Sequence, residues 1–142
     1  MYISGRKPWV VRVILLGLVY LIVGLVFGYL AGSSGSEHLH VVIWRLAAWG
    51  ISGVVYAAHV GYEHFKLANS PRSTALHAAT AAAVGAFGLA VAANLHRLWV
   101  NSGNGRLLGS ALVVWPALVA VPSFVIALVA ATGLNLKRRS AQ

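Results

Sequence analysis

The sequence predicts an all-α, four-helix transmembrane bundle of up-down-up-down topology with both termini cytoplasmic. Three observations predict it. Hydrophobic residues make up 59% of the 142 residues and charged residues only 9%, where a soluble domain carries about a quarter charged. Four apolar stretches reach the roughly 20 residues that a helix needs to cross a hydrocarbon core, and the mean hydropathy is +0.79. The eleven Lys and Arg residues, against two acids (Glu37 and Glu63) and a formal charge of +9, fall mostly in short segments between those stretches. This composition excludes a soluble enzyme, a disordered tail and a coiled coil. With no cysteine there is no disulfide framework, thiolate metal site or cysteine nucleophile. The basic balance points to membrane topology and anionic headgroups rather than nucleic acid.

The expected spans are about 9–31, 41–62, 74–95 and 107–134, in a single integral-membrane domain covering 1–142. A helix is the expected conformer because lipid offers no partner for unpaired backbone groups. The alternating segments of a barrel are absent. Arg6, Lys7 and Arg12, then Lys66 and Arg72, then Lys137, Arg138 and Arg139 fall on one side of a four-span threading; Arg97 and Arg106 fall on the other, and Arg45 lies within a span. The positive-inside rule therefore puts both termini in the cytoplasm, and a bacterial plasma membrane fits. The first span is expected to be retained, not cleaved: about 23 apolar residues are long for a signal peptide, and bulky Tyr29 stands where a cleavage site wants a small residue. Ser70-Pro71 reads as an N-cap followed by proline at the first helical position. The links at 32–40 and 101–106 are short enough to make successive helices antiparallel neighbours.

Span one carries Gly17, Gly24, Gly28 and Gly32. The last three repeat every fourth residue, a spacing that lets helix backbones approach closely. Packing within the chain is the favoured expectation, a homo-oligomer or partner face the other. Span two places Arg45, Trp49, Ser52, Tyr56, His59 and Glu63 on one helical stripe. Span three answers with His77, Thr80, Val84, Phe87, Val91 and Asn94, beside a row of small residues from Ala78 through Gly85 and Gly88 to Ala92. An antiparallel hairpin turning near residues 67–68 would set His59 level with His77, Tyr56 near Thr80, Ser52 near Val84 and Trp49 near Phe87. Polar groups so collected are expected to face the bundle interior. Pro116 and Pro122 predict a bend in span four.

Six histidines divide by side: His59, His64 and His77 with Glu63 near one face, and His38, His40 and His96 with Glu37 near the other. The most economical reading is structural, with loop histidines hydrated and Arg45 snorkelling beside Trp44 and Trp49. Two imidazoles at one depth on facing helices are also the arrangement that ligates a b-type haem. That reading makes His59 and His77 axial ligands, Lys66 or Arg72 propionate partners, and His40 with His96 a second pair. A weaker alternative is a zinc or iron site from His59, Glu63 and His77 or His64. A proton path through Arg45, Tyr56, His59 and Glu63 is the third, disfavoured because no span has an acid at its middle. No hydrolase, kinase or nucleotide-binding motif is present, and no catalytic residue is assigned. The leading expectation is a non-catalytic accessory or structural subunit of a larger membrane assembly, surrounded by lipid and other membrane subunits or copies of itself. A haem-binding electron carrier is the alternative and a small proton-coupled transporter the third.

Overall fold

The computed structural model describes the backbone of residues 8–33, 35, 38–100 and 105–140, with side chains except at 8, 105–108 and 137–140. Glu37, the link at 101–104, and the side chains of Arg6, Lys7, Arg106, Lys137, Arg138 and Arg139, on which part of the expected orientation rests, lie outside what is described. Four helices follow in order: α1 (Pro8–Ser33), α2 (His38–Phe65), α3 (Pro71–Trp99) and α4 (Gly105–Ser140). No strand occurs among the described residues. Each helix contains its expected span and is long and apolar enough to cross a membrane, which supports an integral membrane protein. The helices overrun the apolar stretches by a few residues because the helical ladder satisfies the backbone on both sides of the hydrocarbon boundary.

Local chemistry explains the α2–α3 connection, called here the turn end of the bundle. Lys66 and Leu67 return their N–H groups to the Tyr62 carbonyl at 2.9 and 3.3 Å. Ala68 adopts φ +49°, the left-handed conformation that reverses a chain and favours glycine. The reversal brings the Asn69 N–H within 3.2 Å of the Glu63 carbonyl. Ser70 then caps α3, its hydroxyl accepting from the Ser73 N–H at 3.3 Å, with Pro71 opening the helix. This is the cap expected from Ser70-Pro71.

The packing order differs from the chain order. α3 is the central helix, most extensively packed on α4 and next on α1, while α2 leans chiefly on α1. The inward faces of α3 are lined by small side chains: Ala75, Ala78, Ala81, Ala86 and Ala90 are buried. At Gly85 an added Cβ would lie 2.6 Å from the Tyr20 Cβ and 3.1 Å from the Gly17 carbonyl oxygen, and at Gly17 one would lie 2.5 Å from Val84. These two glycines let α1 and α3 meet almost backbone to backbone. The Gly85–Gly88 part of the small row therefore receives α1, not α2 as the hairpin arrangement anticipated.

The glycine row of α1 splits for the same geometric reason. Gly24 is closed by Leu89 of α3, but Gly28 and Gly32 have nothing within 4 Å of an added Cβ. A helix turns about 100° per residue, so each four-residue step advances roughly 40° around the axis and carries Gly28 and Gly32 off the α3 contact. They turn into a groove beside α2. The second half of α2 closes on the bundle: Val60 joins Ala75, Ala78 and Ala127 in a buried cluster flanked by Tyr56, Phe124 and Leu128. Its first half is peripheral, with Ile43, Leu46 and Trp49 exposed. α4 continues as one helix through Pro116 and Pro122.

Candidate functional site

The polar chemistry of the described helices concentrates at the turn end. Glu63, in the last turns of α2, is 1% exposed and is one of the two largest fully buried side chains. A carboxylate taken out of water costs several kcal/mol unless it is paired and hydrogen-bonded. Glu63 is both. His77 Nδ1, from α3, lies 2.9 Å from Oε2. Asn69 Nδ2, swung back by the Ala68 reversal, donates to the same oxygen. Arg12 of α1 sets Nη1 3.7 Å from Oε1, an ion pair longer than a hydrogen bond. With Glu63 ionised its oxygens only accept, so His77 carries its proton on Nδ1. Trp9, three residues before Arg12 and on the same helix face, stacks on the His77 ring with centroids 5.0 Å apart and planes 9° from parallel. One carboxylate thus joins α1, α2, the turn and α3.

Around this clasp lie polar groups with unmet hydrogen-bonding capacity. His59, one turn before Glu63, is 6% exposed, and its Nε2 has no partner. Both nitrogens of buried His64 and the hydroxyl of buried Thr74 are likewise unpartnered, as is the Tyr20 hydroxyl deeper in the bundle. The His64 ring instead meets Phe65 edge-on at 4.9 Å. The arrangement holds helices together and keeps several imidazoles near one anion.

The residues singled out from the sequence are partly brought together. His59, Glu63 and His77 share the turn end, and His77 contacts Glu63 directly. Among the described residues no group of three or more His, Asp or Glu side chains has the geometry to hold a metal ion. His40 and His96 are exposed near the opposite ends of α2 and α3, away from the turn.

The expected polar seam divides. Tyr56 donates its hydroxyl to the Ser123 carbonyl of α4, not toward Thr80. Thr80 and Asn94 donate to carbonyls of their own helix, Leu76 and Ala90, each at 2.7 Å. Ser52 is half-buried, while Arg45 is exposed and Trp49 is 80% exposed. Val84, expected opposite Ser52, packs on Gly17. The physical reason is the close approach of α1 and α3 at Gly17 and Gly85, which displaces the first half of α2 outward.

Sequence reasoning missed Trp9, Arg12, Asn69 and Thr74 as members of this cluster. Arg12 carried a signal: it interrupts the apolar run VVRVILL, and a helix acid elsewhere in so apolar a chain needs a cation. Asn69 carried none, because its reach depends on the conformation of Ala68.

Compared with protein-family models, curated proteins and solved structures, the chain matches none.

Proposed function

We propose that this protein is a non-catalytic accessory or structural subunit of a larger membrane assembly, held in the bilayer with both termini cytoplasmic. The observation that carries the proposal is the enclosure of Glu63, the only described acid, by Arg12, His77 and Asn69. Its oxygens are committed to holding α1, α2 and α3 together instead of facing an open cleft. The peripheral first half of α2, exposed at Ile43, Leu46 and Trp49, offers apolar surface to neighbouring subunits as well as to lipid. Blue-native electrophoresis after mild solubilisation tests this. The protein should migrate in a complex larger than its own mass of 15.0 kDa and its micelle. A lone monomer with no co-purifying chain would argue against it.

One observation favours a second reading, a b-type haem between His59 and His77. The Nε2 of His59 is buried without a partner, and the contact of His77 Nδ1 with Glu63 leaves its other nitrogen for a ligand, as a carboxylate does behind many metal-bound imidazoles. A reduced-minus-oxidised spectrum of protein from haem-replete cells separates the two. A sharp band lost in His59→Ala or His77→Ala would establish the carrier, and a flat spectrum would remove it.

A further inference from the structure

At the end of the bundle away from the turn, a groove of about 500 Å³ lies between α1 and α2. Gly28 and Gly32 of α1 form an open floor, Phe27 and Trp49 stand along it, and Arg45 of α2 lines it. Arg45 is exposed, and the only described carboxylate, Glu63, is 18 residues further along the same helix, about 27 Å away at 1.5 Å per residue. A guanidinium inside a membrane span needs an anion or water.

Depth indicates which anion is at hand. The 28 residues of α2 measure about 42 Å, matching the roughly 40–45 Å of a bilayer with its headgroups. Arg45 lies seven residues from His38, about 10 Å in from that end and a few ångströms below the hydrocarbon boundary. Its long side chain reaches from there to the phosphate layer.

We propose that the α1–α2 groove binds one anionic phospholipid, its phosphodiester paired with Arg45 and its headgroup seated over Gly28 and Gly32. Guanidinium and phosphate match in charge and in forked hydrogen-bond geometry. The missing Cβ atoms at Gly28 and Gly32 leave open space for that headgroup. A zwitterionic lipid would bring its own ammonium beside Arg45, so an anionic headgroup is preferred. This proposal is independent of the subunit assignment.

Native mass spectrometry of delipidated protein titrated with phosphatidylglycerol or phosphatidylcholine tests it. The wild type should take up one phosphatidylglycerol in preference to phosphatidylcholine. Arg45→Gln should weaken that adduct about tenfold or more, as expected for loss of a charge-assisted hydrogen bond. Gly32→Leu, where an added side chain starts in open space, should weaken it by filling the space the headgroup takes. Arg97→Gln, an exposed arginine in the last turn of α3, should not. An adduct unchanged in Arg45→Gln and Gly32→Leu, or equal uptake of the two lipids, would overturn the proposal. A shift in oligomeric state with Gly32→Leu and no change in lipid uptake would assign the groove to a second copy of the chain instead.

Discussion

His77 Nδ1 and Glu63 Oε2 meet at 2.9 Å across two helices, fourteen residues apart in sequence. The contact closes the α2–α3 hairpin at the only described acid, and Arg12 and Trp9 extend it to α1. Removing the carboxylate therefore loosens three helices at once. Glu63→Ala should destabilise the bundle by roughly 2–3 kcal/mol, less than a fully orphaned buried charge because Arg12 can turn to water. Arg12 is already 32% exposed. Unfolding titrations in mixed micelles measure this, and a change below about 0.5 kcal/mol, within the range of ordinary surface substitutions, would contradict it.

The closed glycine of α3 and an open glycine of α1 should respond differently to a methyl group. Gly85→Ala places a Cβ 2.6 Å from the Tyr20 Cβ and 3.1 Å from a backbone oxygen, and overpacking of this kind costs about 1–3 kcal/mol. Gly28→Ala meets nothing within 4 Å and should leave thermal stability unchanged or raised. Equal losses at the two positions would mean that α1 contacts α3 through a different face.

Ala68 holds φ +49°, a conformation that costs an L-residue about 1–2 kcal/mol. Ala68→Gly should raise stability, by up to about 1 kcal/mol once the greater freedom of glycine in the unfolded chain is counted. A lower melting temperature for this variant would show that the turn is built otherwise, and with it the placement of Asn69 on Glu63.

The chain lacks cysteine, so single introduced thiols report topology without background. Ser33→Cys and Ala68→Cys lie at opposite ends of the bundle, the first exposed at the end of α1 and the second exposed in the turn. In intact cells an impermeant maleimide should label position 33 and reach position 68 only after permeabilisation. The reverse pattern would overturn the cytoplasmic assignment of the termini, and labelling of both in intact cells would contradict a membrane-spanning α2.

Helix number and position were legible in the sequence because the bilayer imposes a length and forbids unpaired backbone. Every expected span, from 9–31 to 107–134, lies within an observed helix. Which helices touch was not legible. Apolar residues that face lipid resemble those that face a neighbouring helix, and the small row through Ala78, Gly85 and Gly88 named a close contact without naming its partner. Much the same holds at the site. The helical stripe of α2 picked out His59 and Glu63, and the start of α3 gave His77. Arg12 looked like a topological charge, and Asn69 depends on the left-handed turn at Ala68. The outer part of the stripe, at Arg45 and Trp49, was displaced by the Gly17–Gly85 approach of α1 and α3.

A double-mutant cycle on Glu63 and His77 is the most direct test that this cluster exists to hold helices together. Stabilities of the wild type, Glu63→Gln, His77→Gln and the double variant give the coupling between the two side chains. A buried, charge-assisted hydrogen bond predicts a coupling of about 1.5–3 kcal/mol, with most of the loss already present in either single variant. Additive losses with no coupling would mean that the two residues do not act as a pair and would contradict the structural role assigned to them.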